Sequence, residues 1–207
     1  MMGIKPMFWY ILRHAEKEQG TFHNPQLRHQ DPPLSAKGQQ AALKLVTYFA
    51  DKPIIAIYVS AYQRTWQTIA AVAEHLQITP VVDGRLNEID NGNIDEMTEH
   101  DFQQFYPDVW QAYMARNADF RFPGGETGAE VQERIKDFFD EKRGQHDGAD
   151  ILLVSHDGLI RQMICYVMGL PVYRRGDFRV DLCGLTELSY QDDYGRWQLL
   201  RFNQPGG

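Results

Sequence analysis

The sequence predicts an α/β domain in which a mainly parallel central sheet lies between two layers of helices. Continuous apolar runs at residues 7–12, 54–59 and 151–154 are typical of strands buried on both faces of a sheet. Stretches with helical spacing of apolar residues separate these runs. The length of 207 residues suits one domain with a modest insertion. We therefore expect a single domain over residues 1–207, with a small cap-like insertion at about residues 90–123.

The first half of the chain predicts three strands and two helices. The first strand ends abruptly at Arg13 and His14, and a polar stretch separates it from a helix that Ser35 is placed to cap. The second strand leads into a helix expected to begin at Ser60, with Trp66, Ile69, Ala70 and Ala73 on its apolar face. The predicted strands lie at residues 7–12, 54–59 and 81–82, and the helices at about 36–52 and 60–76.

The second half begins with a stretch that has no regular period. From residue 86 to 123 polar and aromatic residues mix, as expected of an insertion that folds over a cleft. Thr127 is then placed to start a helix. The predicted helices lie at about 99–105, 108–115, 127–139 and 158–168, and the strands at 151–154, 185–190 and 197–202, the last two joined through a turn at 192–195.

Composition excludes several classes of partner. A formal net charge of −7 argues against nonspecific binding to nucleic acid or anionic lipid, which needs a basic face. No apolar run approaches the roughly 20 residues of a membrane span, and the amino terminus lacks the pattern of a signal peptide. Cys165 and Cys183 are expected to be small core residues in a reducing compartment. We expect a soluble, cytoplasmic protein.

Three predicted strand ends carry residues that suit an anionic ligand. They are Arg13 with His14, the stretch from Ser60 to Arg64, and His156. In an open α/β sheet, ligands bind outside the carboxyl ends of the strands. Each of these features alone is typical of a solvated loop or turn. Because they recur at three strand ends, we predict one pocket that contains two histidines and two arginines. This combination favours the binding of an anion.

Six segments then occur in the order found in one known family. They read LRHAE at 12–16, PLSAKG at 33–38, SAYQRTWQT at 60–68, LNEIDNG at 86–92, PGGE at 123–126 and VSHDG at 154–158. Together they resemble the motifs of the histidine phosphatase superfamily, also called phosphoglycerate-mutase-like. The resemblance extends along nearly the whole chain and implies the three-layer fold of that family.

The resemblance implies a role for each residue of the predicted pocket. His14 would attack phosphorus and form a phosphohistidine, as a neutral imidazole can do near neutral pH. Glu88 would be the general acid that later activates water. Arg13 and Arg64 would hold the phosphoryl oxygens, and His156 would donate a hydrogen bond to one of them.

The same resemblance leads us to expect neither a metal nor a cofactor. The helix that begins near Gly158 would add backbone N–H groups to the anion site. Carboxylates that could suggest a divalent ion, at Asp31, Asp90 and Asp157, have no recognisable metal-binding spacing.

The loop after His14 departs from the family pattern. Ala15 replaces a glycine, which is tolerated if the backbone there needs no positive φ. Lys17 and Gly20 stand where the family often has a hydroxyl residue and an asparagine, so substrate contacts of this loop are open. We expect residues 17–30 and 93–122 to form the walls around the rest of the substrate. The cationic candidates on these walls are Lys17, His23, Arg28, Arg116 and Arg121.

These features favour a phosphomonoesterase of the histidine acid phosphatase type that hydrolyses a small phosphorylated metabolite. The first alternative is a cofactor-dependent phosphoglycerate mutase, although the stretch after Glu88 looks closer to a bisphosphatase domain that acts on fructose bisphosphate. The second is a noncatalytic phosphate-binding module. A homodimer is left open, with Trp110, Tyr113 and Phe120 as candidates for an exposed apolar patch.

Overall fold

The computed structural model describes residues 7–95, 97–146 and 148–206. The strands are β1 (Met7–Arg13), β2 (Ile54–Val59), β3 (Val81–Val82), β4 (Asp150–Ser155), β5 (Gly184–Gln191) and β6 (Arg196–Pro205). The helices are α1 (Ala36–Phe49), α2 (Gln63–Leu76), α3 (Glu99–Phe105), α4 (Pro107–Ala115), α5 (Gly128–Gln145) and α6 (Asp157–Met168). Within these ranges no helix combines the length and the apolar character that crossing a bilayer requires.

One six-stranded sheet runs in the order β3-β2-β4-β1-β5-β6. The first four of these strands are parallel to one another, and β5 and β6 are antiparallel to their neighbours. Arg13 pairs with Ser155, and Val59 pairs with Val154. The carboxyl ends of β1, β2 and β4 therefore meet at one edge, as the strand-end argument required. The prediction of an α/β fold with a mainly parallel sheet is confirmed.

Side chains of β1 enter a separate core on each face of the sheet. Trp9 and Ile11 belong to the core beneath α5 and α6. Tyr10 and Leu12 belong to the core beneath α1 and α2. A strand with apolar residues on both faces produces a continuous apolar run, which is the pattern that predicted it. The sheet is thus the middle layer of three.

Two helix starts follow their predicted caps. The Ser35 hydroxyl accepts the backbone N–H of Gly38 at 3.0 Å and begins α1. Thr127 begins α5 with a capping box, in which its hydroxyl accepts the Glu130 N–H while the Glu130 carboxylate accepts the Thr127 N–H. These bonds satisfy donors that a helix start otherwise leaves unpaired.

The start and the buried face of α2 differ from the prediction. The helix begins at Gln63 rather than Ser60, because Ser60 still donates its N–H to β4, to the Val154 carbonyl at 3.3 Å. Trp66, expected on the apolar face, is 51% exposed. The buried face instead includes Arg64 and Thr68. The predicted apolar face is confirmed for Ile69 and Ala73, which are buried, and is wrong for Trp66.

The segment between β3 and α5 carries α3 and α4 and packs on the core beneath α5. Trp110 and Phe120, expected in an exposed patch, are half-buried within a chain of ring contacts. Tyr113 is 37% exposed, whereas Phe105 is 62% exposed. The expected patch is therefore wrong for two of its three members, because Trp110 packs against Phe102 and Phe120 packs against Phe122.

The amino-terminal turn of α1 lies against the backbone that follows the first strand. A β-carbon at Gly38 would stand 2.0 Å from the Glu16 carbonyl oxygen. Because a backbone atom cannot move aside cheaply, Gly38→Ala is expected to lower the free energy of unfolding by about 1 to 3 kcal/mol, measured by urea denaturation.

The matched control is Gly144→Ala, in the last turn of α5. A β-carbon there has nothing within 4 Å, so alanine should raise stability by up to about 1 kcal/mol. If Gly38→Ala were stabilised like the control, the close approach of α1 to Glu16 would be wrong.

Candidate active site

The three strand ends place two imidazoles around one guanidinium. His14 directly follows β1, Arg64 lies in the first turn of α2, and His156 is the residue before α6. Arg64 Nε lies 3.3 Å from His14 Nε2, and Arg64 Nη2 lies 3.1 Å from His156 Nδ1. The two imidazole ring centres are 5.1 Å apart. The structure thus brings together the residues that the sequence placed at separate strand ends.

His14 presents a lone pair at Nε2. Its Nδ1 lies 2.7 Å from the carbonyl oxygen of Ala15. A carbonyl only accepts, so Nδ1 carries the proton and Nε2 is the free base of the neutral ring. The side chain is buried, and burial, followed by the charge of Arg64, lowers the pKa of His14 from 6.5 to about 3. The ring is therefore neutral near pH 7.

His156 is fully buried and is fixed at both ring nitrogens. A guanidinium only donates, so Nδ1 accepts from Arg64 and Nε2 carries the proton. Nε2 lies 2.8 Å from the Ser60 hydroxyl. Burial, and then Arg64, place the pKa of His156 well below its ordinary value. The predicted donation from His156 to a phosphoryl oxygen therefore requires a proton that Nδ1 does not carry in this arrangement.

Arg64 is a buried cation with limited compensation. Its guanidinium lies 4.4 Å from the centre of the Tyr62 ring, and its Nη1 lies 3.8 Å from an oxygen of Asp31. Within the described chain, Arg64 Nη1 has no hydrogen-bond partner. Leaving a buried donor unpaired costs about 1 to 3 kcal/mol. This arrangement suits an acceptor that enters from the cleft, such as a phosphoryl oxygen.

Arg13 is held from two sides. It donates to the carbonyl of Val180, and its Nη1 lies 3.7 Å from an oxygen of Asp157. Arg161 in turn binds the Asp157 carboxylate through two nitrogens. The buried Arg13 Nε has no partner among the described residues. Asp157 therefore orients a cation rather than leaving a carboxylate free.

Glu88 occupies the start of α6. Its carboxylate accepts the backbone N–H groups of Gly158 at 3.2 Å and Leu159 at 2.9 Å, as well as that of Ile89 at 2.9 Å. The prediction that this helix start offers its N–H groups to the phosphate is wrong for these two donors. A helix start does favour the binding of an anion, but here the anion is the Glu88 carboxylate of the chain itself. A β-carbon at Gly158 would lie 2.8 Å from a Glu88 oxygen, so the contact also requires glycine.

A cleft of about 640 Å³ opens over these residues. Arg13, His14, Arg64 and Glu88 line it, whereas His156 lies behind the surface. Its wall also includes Lys17, Gly20, His29, Tyr62, Asn91 and Asp95.

Only one of the five cationic wall candidates lines this cleft, and it is Lys17. Arg28 donates to the Gly124 carbonyl and pairs with Asp90. Arg116 donates to the Gly176 carbonyl. Arg121 pairs with Glu130, and the cleft lining does not include His23. The sequence could not separate Lys17 from the others, because it does not show which of these cations bind other groups of the protein.

Lys17 faces a fixed carboxylate across the wall. Asp95 lies 3.0 Å from His29 Nδ1, and Asp90 lies 3.1 Å from His29 Nε2. The hydrogen bond to Asp95 is the main cause that raises the pKa of His29. Burial, and then Arg64, lower the pKa of Lys17. The wall thus offers a cation and an anion beside the phosphate pocket.

Several residues of the site carried no signal in the sequence. Tyr62 packs its ring against both Arg64 and His156. Asp31 accepts the Gln63 N–H at 2.9 Å and so fixes the start of α2 beside Arg64. An aromatic residue or an acid in a polar loop has too many uses for either role to be predicted.

Two departures from the family pattern find their explanation in the backbone. Ala15 takes a negative φ and donates its N–H to the Thr68 hydroxyl at 2.9 Å, so no glycine is needed there. Gly20 has φ +130°, a conformation that favours glycine, and lies on the cleft wall.

This fold and this arrangement of arginines and histidines define a class of phosphate-handling proteins, and comparison with known families identifies which one. The chain belongs to the histidine phosphatase superfamily (branch 1), whose model matches residues 9–205. The resemblance inferred from the six segments is confirmed.

Relatives of known name span most of the chain. It is 30% identical over 174 residues to phosphoserine phosphatase 1 of Hydrogenobacter thermophilus, covering 83% of this chain and 81% of the relative. It is 28% identical over 189 residues to a protein of Escherichia coli named probable phosphoglycerate mutase, covering 88% and 85%.

Solved structures share the fold. A mycobacterial glucosyl-3-phosphoglycerate phosphatase superposes with a TM-score of 0.80 at 23% identity, covering 96% of this chain and 99% of that one. The alpha-ribazole phosphatase of Shigella flexneri gives 0.79 at 22% identity, covering 96% and 97%.

The neutral state of His14 predicts an acid-sensitive stability. Because the pKa of His14 is about 3 in the folded protein and 6.5 ordinarily, the unfolded chain binds the proton more readily between these values. The free energy of unfolding should therefore fall as the pH decreases below about 6.5. His14→Gln should lessen this fall between about pH 7 and pH 5, as measured by urea denaturation at each pH.

The control is His100→Gln, which also removes one histidine. His100 is exposed and lies in the first turn of α3. Equal slopes in His14→Gln and the unsubstituted protein would show that His14 binds its proton as readily in the folded chain as in the unfolded one, and would contradict the lowered pKa.

Proposed function

We propose that this protein is a phosphomonoesterase that hydrolyses a small phosphorylated metabolite through a phosphohistidine on His14. The observation that carries the proposal is the neutral, proton-free Nε2 of His14, which lies 3.3 Å from Arg64 at the cleft. Phosphoryl transfer needs a nucleophile beside a cation, because the oxygens of the transferring group carry negative charge. Arg64 is such a cation, and its buried Nη1 has an N–H without a partner among the described residues.

The reaction would proceed in two steps. His14 Nε2 attacks phosphorus, the bond from phosphorus to the ester oxygen breaks, and the Glu88 carboxyl gives its proton to the departing alkoxide. Water then attacks phosphorus, the bond to Nε2 breaks, and Glu88 takes a proton from the water. Arg13 and Arg64 would stabilise the phosphoryl oxygens in both transition states.

The carboxylate of Glu88 is well placed to be the acid and base. It lines the same cleft as His14, and the N–H groups of Gly158 and Leu159 fix its position. Residues 90–123 would act as the cap over this cleft, since Asn91 and Asp95 already lie on its wall.

The names of the relatives support a phosphatase with a small substrate. Phosphoserine, glucosyl-3-phosphoglycerate and alpha-ribazole phosphatases are named among the matching proteins. A mutase is the second candidate, because the Escherichia coli relative bears that name. Adding a bisphosphoglycerate primer would separate the two: a phosphatase releases inorganic phosphate without it, whereas a mutase depends on it to interconvert phosphoglycerates.

His14→Ala is expected to abolish turnover and leave the fold intact. A covalent route lost at its nucleophile should cost many orders of magnitude in rate. The measurement is hydrolysis of an aryl phosphate and of a panel of phosphorylated metabolites, with thermal unfolding as the check of the fold. Activity within tenfold of the unsubstituted enzyme would exclude His14 as the nucleophile.

Activity is also expected to survive EDTA. Asp31, Asp90 and Asp157 each bind a different set of protein groups rather than one another. A loss of hydrolysis on chelation that a divalent ion restores would contradict the metal-free route.

Lys17→Gln should raise KM for the preferred metabolite several-fold and leave hydrolysis of a small aryl phosphate nearly unchanged. Lys17 lies on the wall beside the phosphate pocket, so it would bind the rest of the substrate equally before and in the transition state. Arg121→Gln removes the same charge outside the cleft and is the control. Equal losses on both substrates would assign Lys17 to the phosphate itself.

A further inference from the structure

Two buried hydroxyl groups lie next to His156 and have no part in the proposed reaction. Ser60 is 1% exposed and Thr65 is fully buried, and neither lines the cleft. Ser60 Oγ lies 2.8 Å from His156 Nε2 and 3.0 Å from Thr65 Oγ1. These hydroxyls therefore contact His156 on the nitrogen that does not face Arg64.

The direction of each hydrogen bond in this chain follows from Arg64. Since the guanidinium donates to His156 Nδ1, the ring proton is on Nε2 and points to Ser60 Oγ. Ser60 Oγ also accepts the Tyr62 N–H at 3.2 Å, which leaves its own hydrogen for Thr65. The Thr65 hydroxyl donates to the Tyr62 carbonyl at 2.8 Å. The chain thus ends on a carbonyl, which cannot pass a proton onward.

We infer that Ser60, oriented by Thr65, keeps the proton of His156 on Nε2, so that His156 can donate to a bound anion only by taking up a proton at Nδ1. The inference rests on the proposed function, because the anion has to lie beside Nδ1. An anion there would draw the Arg64 Nη2 hydrogen bond to itself and leave the Nδ1 lone pair facing a negative oxygen.

The proton balance is simple. One proton adds to Nδ1, from solvent or from the monoanionic form of the ligand, and the new N–H donates to an anion oxygen. No other covalent bond changes, and Nε2–H continues to donate to Ser60 in both states. Ser60 is therefore a positioning residue rather than a catalytic one.

The charges around His156 are compatible with this proton uptake. Burial, and then Arg64, keep the pKa of His156 well below its ordinary value, so the ring begins neutral. A bound anion changes the balance, because a nearby negative charge favours the protonated ring. Charged and aromatic groups act on the ring from the neighbouring elements: Arg64 and Tyr62 at the start of α2, and Arg13, His14 and Lys17 on β1 and the loop after it. On the side of α6, the Glu88 carboxylate accepts the N–H of Gly158, two residues after His156.

Sulfate is the probe, because it does not titrate near neutral pH and its binding reports protein protons alone. The experiment uses the full chain with His14→Gln, which removes the other imidazole that contacts Arg64. In ¹⁵N spectra of the two ring nitrogens, His156 should be protonated on Nε2 alone without sulfate and on both nitrogens with it. A bound His156 that stays neutral, on either nitrogen, would overturn the inference.

A failure of the proposed function would look different. If sulfate did not bind at all, and did not inhibit hydrolysis by the unsubstituted enzyme, the anion site itself would be wrong and the inference would fall with it. Binding without a second proton on His156 would overturn only the inference.

The role of Ser60 is tested through the pH dependence of sulfate affinity. Ser60→Ala removes the acceptor of Nε2–H, so affinity at about pH 6 should fall about tenfold, and the loss should shrink as the pH rises and uptake ceases. Ser60→Thr keeps the hydroxyl and should retain most of the affinity. A loss that is the same at every pH would show that Ser60 only supports the local structure, and would overturn the inference.

Discussion

The arrangement of the site depends on the buried guanidinium of Arg64, which donates to His14 Nε2 and to His156 Nδ1 at once. Because a guanidinium has no acceptor, both imidazoles must present a lone pair to it. This condition agrees with the tautomer that the other partner of each ring requires, the Ala15 carbonyl for His14 and the Ser60 hydroxyl for His156. Without a bound anion, burial and then the charge of Arg64 keep both rings neutral. In the proposed reaction, the same contact therefore prepares the nucleophile and supplies the charge that stabilises the phosphoryl group.

The buried position of Arg64 goes with a start and a buried face of α2 that apolar packing alone would not produce. The helix α2 begins three residues after Ser60, at a point where Asp31 accepts the Gln63 N–H and the Tyr62 ring covers the guanidinium. Thr65 and Thr68 are buried on the same face, and Thr68 accepts the N–H of Ala15, the residue after His14. Trp66 lies on the exposed side of the same helix. A buried cation costs free energy unless other groups compensate its charge, and near the guanidinium these are the Tyr62 ring, the Asp31 carboxylate and the two imidazoles.

The sheet and most helix bounds could be predicted because burial on two faces leaves a direct trace in the sequence. The runs at 7–12, 54–59 and 151–154 became β1, β2 and β4, and Ser35 and Thr127 cap helices as expected. Periodicity reports which side chains avoid water, but it does not report which acceptor a given N–H will find. For that reason periodicity could not predict that Glu88 binds the start of α6 or that Trp66 is exposed. The family motifs placed Glu88 in the pocket but carried no information on its partners.

The distribution of charge explains why the pocket and its walls should select different parts of a substrate. With both histidines neutral, Arg13 and Arg64 are the positive charges closest to His14, and Glu88 already satisfies the helix start that would otherwise add to them. Discrimination has to come from groups that do not touch phosphorus. Lys17 and Asp95 lie on the wall with opposite charges, and His29 fixes Asp95 in place. A leaving group that carries both an anionic and a hydrogen-bond-donating group would match this pair, whereas a plain aryl group would contact neither.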